Sequence, residues 1–343
     1  MRVLLNTLFV LSEDVYLALE GENIVVLRGE DTAARYPLHT LEQVLCFSYK
    51  SASPALMGAC AKRGIALSFY SPRGQFYCQT AGSEQGNVLL RRTQYRLADS
   101  PLGRRDLSEW FLTGKLYNAR WVLERATRDH ALRLDGARVK AASTALAAAL
   151  RTLPGQPDTD ALRGVEGAAA QRYFDVFDEL ILQNKDAFSF TGRSRRPPLD
   201  RINALLSFIY TLLAGDCAAA LRGVGLDPYV GYLHTDRPGR ASLALDLMEE
   251  LRPVLADRFA LTLVNNRKIG PGHFQMQENG AVLLNDAGRK TVLSSWQERK
   301  RELLTHPFLG EKMPWGLVPY VQALLLARYL RGDLDAYPPL LWK

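Results

Sequence analysis

The fold class of this chain is decided by a change in the spacing of its apolar residues, which falls at Val88-Leu89-Leu90-Arg91-Arg92-Thr93-Gln94-Tyr95-Arg96-Leu97-Ala98-Asp99. From this stretch onward apolar residues recur every three or four positions, which is the period of a helix that buries one face. Before about Gly86 they alternate or form short runs, which is typical of strands. The sequence therefore predicts an α+β fold, with a small β-sandwich-like domain over residues 1–85 and a larger all-α domain over residues 86–343.

The first domain is predicted to contain six strands and one helix. The helix, Ser53–Lys62, begins with a serine and a proline and has Gly64 just past its end. Turn sequences such as Ser71-Pro72-Arg73-Gly74 separate several of the strands. The predicted strands are Arg2–Leu11, Val15–Leu19, Asn23–Leu27, Gln43–Phe47, Ala66–Tyr70 and Gln75–Gln79.

The second domain is predicted to consist of eight helices joined by loops rich in glycine and proline. Asp200 is expected to cap the helix that opens at Arg201, because Pro197 and Pro198 stop the chain before it. The predicted helices are Val88–Asp99, Leu107–Asp129, Val139–Leu150, Asp160–Leu182, Asp200–Ala214, Ala241–Leu251, Ser294–Leu304 and Leu317–Leu330.

The composition of the 343 residues excludes several classes of protein. With 47% hydrophobic and 23% charged residues, the chain is neither disordered nor a collagen or a coiled coil. No apolar run is expected to reach the roughly 18 residues that cross a bilayer, and the segment 1–11 fits a strand better than a signal peptide. Four scattered cysteines without a CxxC pair disfavour disulfides and structural zinc. We expect a cytoplasmic protein that contacts no membrane.

The charge is distributed unevenly along the chain. The net charge is +7, and residues 86–140 hold 12 basic and 6 acidic residues, whereas residues 1–85 hold 7 and 8. Such a balance favours a polyanionic partner, because Lys and Arg release counterions when they neutralise phosphates. A solvated basic face remains an equal alternative at this point.

One of the five histidines lies where it can share a site with carboxylates. His234 belongs to the loop 231–240, and the next helix carries acidic residues on one face, at Asp246, Glu249 and Glu250. An imidazole with carboxylates and no thiolate suits Mg²⁺ or Mn²⁺ better than zinc. A charged helix face beside a surface histidine is the alternative interpretation.

Glu166 is the best candidate for a further ligand from elsewhere in the chain. It precedes the small residues Gly167-Ala168-Ala169-Ala170, which would let another backbone or a nucleic-acid strand approach closely, and Tyr173 lies on the same helix face. A small-residue patch for helix packing explains the same pattern.

Three segments together resemble a known family. They are Gly164-Val165-Glu166-Gly167 with Tyr173-Phe174, then Pro197–Phe208, then Gly231–Arg240 running into Ser242–Glu250. In this order they resemble the CRISPR-associated adaptation endonuclease, the universal integrase of new spacers. The third segment is most similar to the version found with subtype I-C systems.

The resemblance implies a catalytic metal site of one Glu, one His and one further acid, which fall on Glu166, His234 and Glu249. Asp246 matches a second acidic position and is expected to be an outer or alternate ligand, and the place of Glu250 stays open. The expected metal is Mg²⁺ or Mn²⁺. The resemblance also implies a homodimer built largely through the β domain. It further implies that two such dimers assemble around a dimer of a small companion adaptation protein, a heterohexamer that binds double-stranded DNA.

The expected reaction is attack of a DNA 3′-hydroxyl on a phosphodiester at the edge of a CRISPR repeat. Tyr173 is a candidate for stacking on a strand end, with a buried core tyrosine as the alternative. Candidate clamps for the DNA backbone are Arg163, Arg193, Arg195, Arg196, Arg237 and Arg240. Three other functions stay open: a non-catalytic DNA-binding scaffold, a metal-dependent phosphoesterase for other nucleic-acid substrates, and a protein-interaction adaptor.

Overall fold

The computed structural model describes residues 7–10, 12, 14–41, 43–70, 76–80 and 88–343. The chain divides into two compact units, Met1–Gly86 with Leu293–Glu302, and Asn87–Val292 with Leu303–Lys343. Several predicted features lie outside the described residues: part of the strand Arg2–Leu11, the turn 71–74 with the start of the strand that follows it, and the boundary between residues 85 and 86.

The first unit is built from two small sheets and one helix. Its elements are β1 (Thr7–Val10), β2 (Tyr16–Glu20), β3 (Asn23–Arg28), β4 (Asp31–Pro37), β5 (Gln43–Cys46), α1 (Pro54–Lys62), β6 (Ala66–Tyr70) and β7 (Phe76–Gln79). One sheet has the order β1-β5-β6-β7, in which the first three strands are parallel and β7 is antiparallel. The other is the antiparallel meander β2-β3-β4.

The core of this unit follows from the alternation of side chains along its strands. Leu17 of β2, Val44 of β5 and Leu67 of β6 are fully buried, together with Leu56 of α1. The Ser53 side chain caps α1 by accepting a hydrogen bond from the Leu56 N–H at 3.2 Å. Strand β4 was not predicted, because nearly all of its residues are exposed and it contains no apolar run.

The second unit is dominated by helices. They are α2 (Val88–Asp99), α3 (Pro101–Asp129), α4 (Gly136–Thr152), α5 (Thr159–Asp175), α6 (Arg201–Gly223), α7 (Ser242–Leu251), α8 (Arg258–Asn265), α9 (Asp286–Arg301), whose last residues belong to the first unit, and α10 (Val318–Leu330). A π-helical segment, Arg252–Asp257, joins α7 to α8. Two short antiparallel pairs complete it, β8 (Phe274–Met276) with β9 (Val282–Leu284) and β10 (Leu303–Thr305) with β11 (Lys312–Pro314).

The predicted fold class is confirmed, and the differences lie in the extent of the elements. α5 ends at Asp175 instead of Leu182, because Phe177–Leu180 turn into a 3₁₀ helix that buries Phe177. α3 begins earlier than predicted, where the Ser100 hydroxyl accepts from the Gly103 N–H at 3.2 Å. Helix α8 and the two short strand pairs were not predicted, since three-residue strands leave little pattern in a sequence.

Helix α6 corrects the expectation that no segment is long and apolar enough to cross a bilayer. Its 23 residues include an 18-residue window of mean hydropathy 1.7, and 61% of that window is buried inside the protein. Ile202, Leu205 and Ile209 are fully buried where α6 packs against α7 and α10. Because most of that window is covered by protein, α6 is a core helix of the second unit. The cap predicted at Asp200 is present, with the Asn203 N–H donating to its carboxylate at 2.7 Å.

Candidate metal centre

Five side chains from three helices and one loop meet inside the helical unit. Lys115 lies on α3 and Glu166 on α5, while Asp246 and Glu249 lie on α7 and His234 in the loop before it. α3 packs against both α5 and α7, which brings these elements together.

Asp246 is fully buried and fixes the loop that carries His234. Its carboxylate accepts hydrogen bonds from the backbone N–H groups of Tyr232 at 2.6 Å, Leu233 at 3.0 Å and His234 at 2.9 Å, and it lies 2.6 Å from Nδ1 of the His234 ring. Since the carboxylate is the acceptor, Nδ1 is the donor, and in the neutral ring Nε2 then keeps its lone pair. Asp246 thus leaves Nε2 as the nitrogen that can bind a cation, and this geometry favours the outer position for Asp246 itself.

Gly231 allows this loop to lie directly on α7. A Cβ at residue 231 would come within 2.8 Å of Oδ2 of Asp246 and within 2.8 Å of the backbone carbonyl carbon of Ser242. Any larger residue would therefore push the loop away from the carboxylate that organises it.

Glu249 is a buried carboxylate between two cations, and its side chain is 4% exposed. Oε1 lies 2.8 Å from Nη2 of Arg252 and 3.9 Å from Nε2 of His234, and Oε2 lies 2.6 Å from Nζ of Lys115. Burial raises the pKa of this carboxyl, but the charges of Arg252 and Lys115 outweigh burial and lower the pKa to about 2. Glu249 is therefore ionised at neutral pH.

Lys115 links Glu249 to Glu166, because its ammonium also forms an ion pair with Oε1 of Glu166. In the part of the chain that the structure describes, no three His, Cys, Asp or Glu side chains come close enough to hold a metal ion together. Instead, the predicted ligands are connected two at a time. His234 lies beside Glu249, and the Lys115 ammonium joins Glu249 to Glu166.

The residues present fit a divalent metal ion. Two carboxylates and one imidazole nitrogen are donors that suit Mg²⁺ or Mn²⁺. The two carboxylates already converge on one positive charge, that of Lys115, so their placement suits a cation. Glu166, His234 and Glu249 are the side chains that would hold such an ion.

Glu250, whose place the sequence left open, points away from Glu249 toward the C-terminal segment. Its carboxylate accepts hydrogen bonds from Nε2 of Gln322 at 3.1 Å, from the Tyr337 hydroxyl and from the Leu340 N–H at 2.7 Å. Burial raises its pKa to about 7, against the lowering effect of these hydrogen bonds. Although Glu250 follows Glu249 directly, its carboxylate therefore does not join His234 and Glu249: it anchors the C-terminal segment.

Tyr173 is buried, so the structure supports the alternative of a core tyrosine over that of a DNA-stacking residue. Its side chain is 3% exposed, and its hydroxyl donates to Asp257 at 3.1 Å. The Tyr210 hydroxyl donates to the other oxygen of Asp257 at 2.5 Å. Burial raises the pKa of Asp257 to about 6, although these hydrogen bonds and the charges of Arg252 and Arg193 lower it.

Three of the candidate DNA-binding arginines are used inside the protein. Arg163 donates to the Leu233 carbonyl through Nε at 2.9 Å, which ties α5 to the loop of His234. Arg193 lies over the Tyr210 ring at 5.1 Å, and burial lowers its pKa. Arg240 donates through Nε to the Ser242 hydroxyl at 3.3 Å and also bonds to Thr235. Their first role is to shape the site.

The other three, Arg195, Arg196 and Arg237, are exposed. Arg195 lines a cleft that also has Glu166, Lys115 and Arg252 on its wall, with the small side chains of α5 on another part of that wall. Guanidinium groups near such a cleft suit contact with phosphate oxygens.

Sequence reasoning missed Lys115, Arg252 and Asp257, because each gains its meaning only from long-range contacts. One signal was available for Lys115. Gly114 interrupts the helical pattern of α3, and a Cβ there would lie 2.7 Å from Cβ of Glu250. An isolated glycine within a helix often marks such close packing, and here it brings α3 onto α7 and Lys115 to Glu249.

Comparisons with known proteins agree on one family. The family model of the CRISPR-associated protein Cas1 matches residues 8–298. A CRISPR-associated endonuclease Cas1 from Chlorobaculum tepidum is 49% identical over 343 residues, which is 100% of both chains, and one from Rhodospirillum rubrum is 52% identical over 347 residues, again 100% of both.

Two solved structures share the fold. A casposase bound to its integration product superposes with a TM-score of 0.84 at 20% identity, covering 99% of this chain and 95% of that one. A Cas6-RT-Cas1–Cas2 complex matches with a TM-score of 0.80 at 20% identity, covering 98% of this chain and 36% of that one.

These findings define a CRISPR-associated endonuclease. The chain belongs to the Cas1 family, a family of metal-dependent nucleases, and the family suggested by its sequence is confirmed.

Proposed function

We propose that this chain is a DNA endonuclease and integrase that inserts foreign DNA fragments into a CRISPR array, with Mg²⁺ or Mn²⁺ held by Glu166, His234 and Glu249. The observation that carries the proposal is the convergence of Glu166 and Glu249 on one positive charge, with Nε2 of His234 3.9 Å from Oε1 of Glu249, in a chain of the Cas1 family.

Two features of the chain prepare this site for phosphoryl transfer. Asp246 holds the His234 ring so that Nε2 faces Glu249. Arg252 and Lys115 keep Glu249 ionised, as its lowered pKa of about 2 reflects. A divalent ion bound there favours the alkoxide form of an attacking hydroxyl and offsets negative charge in the transition state.

The proposed reaction is a transesterification. The 3′-hydroxyl of the fragment gives up its proton as a bond forms between its oxygen and phosphorus. The bond from phosphorus to the repeat's 3′-oxygen breaks, and the leaving oxygen takes up a proton, so that no net proton is gained or lost. With water as the attacking group the same step is hydrolysis, which is the endonuclease activity. Of the six candidate arginines, Arg195, Arg196 and Arg237 have the exposure needed to hold the DNA backbone, a role that positions the duplex without specifying its sequence.

Partners follow from the same proposal. Residues 1–85 serve as the dimerisation domain, and residues 86–343 bind metal and DNA. Two homodimers assemble with a dimer of a small companion adaptation protein into a heterohexamer in the cytoplasm, and the Cas1–Cas2 content of a structural neighbour supports such a partner. The similarity of Gly231–Arg240 to subtype I-C sequences supports assignment to that subtype.

The test compares two adjacent glutamates of α7. Glu249→Gln removes a carboxylate of the centre and is expected to abolish joining and cutting of a labelled branched DNA with Mn²⁺. Glu250→Gln is the matched control, because that carboxyl faces the C-terminal segment and its pKa of about 7 makes the neutral form common already. Electrophoretic shift at low salt should show that both variants still bind DNA.

Equal activity in the two variants would contradict the proposed centre. A wild-type protein that binds the branched DNA but neither cuts nor joins it would favour a non-catalytic scaffold. Cleavage of single-stranded DNA or free nucleotides alone would favour a general phosphoesterase.

A further inference from the structure

Lys115, a residue that the sequence did not single out, lies between two of the proposed metal ligands. Its side chain is 12% exposed, and its ammonium lies 2.6 Å from Oε2 of Glu249 while pairing with Oε1 of Glu166. Both partners are proposed metal ligands, and they come from different helices. The ammonium thus occupies the space between two carboxylates that a divalent ion would have to share.

The position of Lys115 is imposed by the backbone. Gly114 lets α3 lie against α7, since a Cβ there would come 2.7 Å from Cβ of Glu250 and 3.2 Å from its Oε2. The next residue, Lys115, is thereby delivered to the neighbouring carboxylate, Glu249. Arg252 already neutralises Oε1 of Glu249 at 2.8 Å, so an ordinary structural salt bridge for this carboxylate is complete without Lys115.

We propose that Lys115 is a built-in counter-cation of the metal centre, which holds Glu166 and Glu249 together before the metal binds and which the metal displaces. The ammonium and the divalent ion compete for the same oxygens. This inference rests on the proposed function, because it takes Glu166 and Glu249 as ligands.

The displaced ammonium can move into a neighbouring cleft. Lys115 lines the same cleft as Arg195, and its flexible four-carbon stem lets the charge move several ångströms while the backbone stays in place. In the cleft the ammonium can pair with a phosphate of bound DNA, as a point charge does. Metal and DNA would then each favour binding of the other. The metal takes over the two carboxylates from the Lys115 ammonium, and a DNA phosphate pairs with the ammonium that the metal has displaced.

The experiment measures metal affinity directly, without DNA and without turnover. Free Mn²⁺ is titrated against the full-length protein and followed by its electron paramagnetic resonance signal, for wild type, Lys115→Met and Lys115→Gln. Removal of a competing charge a few ångströms from the ion is expected to tighten Mn²⁺ binding by about tenfold or more in both variants. Lys115→Gln retains an N–H donor for the carboxylates and guards against misfolding of the methionine variant.

Lys140→Met is the matched control. Lys140 also bridges two helices, pairing with Glu124 at 2.7 Å, but it is 57% exposed and touches none of the proposed ligands. Its loss is expected to leave the Mn²⁺ affinity unchanged. A gain in affinity equal to that of Lys115→Met would overturn the inference, because it would reflect net charge alone.

A second readout separates competition from a structural role. Thermal unfolding should show that Lys115→Met lowers the melting temperature without Mn²⁺ and that saturating Mn²⁺ raises it more in the variant than in the wild type. Unchanged or weaker Mn²⁺ binding in both Lys115 variants would overturn this inference alone. A wild type and variants that all fail to bind Mn²⁺ would overturn the proposed metal centre as well.

Discussion

Replacement of Asp246 by asparagine tests how the chain prepares His234. In the wild type, Oδ2 accepts from the Tyr232 and Leu233 N–H groups, while Oδ1 accepts from the His234 N–H and lies 2.6 Å from its ring Nδ1. Asparagine has one acceptor oxygen, and in its better orientation that oxygen serves Tyr232 and Leu233. Its NH₂ group then faces two groups that are donors in the wild type.

The magnitude follows from these four contacts. The His234 backbone N–H loses its acceptor inside the protein, which costs about 1–3 kcal/mol, and the remaining bonds lose the strength that the carboxylate charge gave them. We expect a loss of about 2–4 kcal/mol in the stability of the helical unit. The ring also changes tautomer, since Nδ1 must now accept from the NH₂ group, and Nε2 becomes a donor that cannot ligate a metal.

The assay is the same Mn²⁺ titration, at a temperature where chemical denaturation shows Asp246→Asn to be folded. A loss of a ligand-orienting carboxylate typically weakens metal binding by about 10–100-fold, and we expect a value in that range. Wild-type Mn²⁺ affinity in the folded variant would refute the assignment of Nε2 as the metal-binding nitrogen.

Two further predictions concern stability. Burial raises the pKa of Glu250 from 4.5 to about 7, so the folded protein keeps a proton that the unfolded chain has lost, and stability falls by about 3 kcal/mol as pH rises through that interval. The melting temperature of Glu250→Gln minus that of the wild type should therefore be larger at pH 8 than at pH 5. If this difference is the same at both pH values, Glu250 is not protonated when buried. Gly231→Ala places a Cβ 2.8 Å from Asp246 and from Ser242, so we expect a loss of about 1–3 kcal/mol in urea unfolding, whereas Gly58→Ala, where the Cβ meets open space, should cost nothing.

The local features of the fold were predictable because they depend on local physics. Helix α2 has the predicted bounds, and α7 begins within one residue of its prediction, since their apolar periods are clear. The cap at Asp200 follows from one side chain and the nearest N–H groups. Strand β4 could not be found in this way, because it is recruited by pairing with β3 and not by its own apolar residues.

The candidate site likewise contains residues that the sequence could predict and residues that it could not. His234 and Glu249 could be proposed together because the loop of His234 leads directly into the helix with the acidic face. Glu166 is remote in the sequence, and the resemblance to a family that uses such residues is what tied it to the other two. Lys115 and Asp257 carry no local pattern: one is a basic residue within a long helix, and the other lies in a π-helical segment that periodicity does not predict. Their roles arise from the packing of α3, α5 and α7, which only the assembled fold specifies.

The two adjacent glutamates of α7 show how far environment decides function. Glu249 and Glu250 have the same side chain and are both buried, yet the pKa of one falls to about 2 while that of the other rises to about 7. The difference lies in their partners, since Glu249 meets Arg252 and Lys115, whereas Glu250 meets only neutral donors such as Gln322 and the Tyr337 hydroxyl. Positive charge keeps the first ionised and able to exchange one cation for another, while neutral donors let the second hold a proton and anchor the C-terminal segment. The chemistry of α7 is thus set by the helices packed on each of its faces, so substitutions on α3 should alter metal binding without touching a ligand.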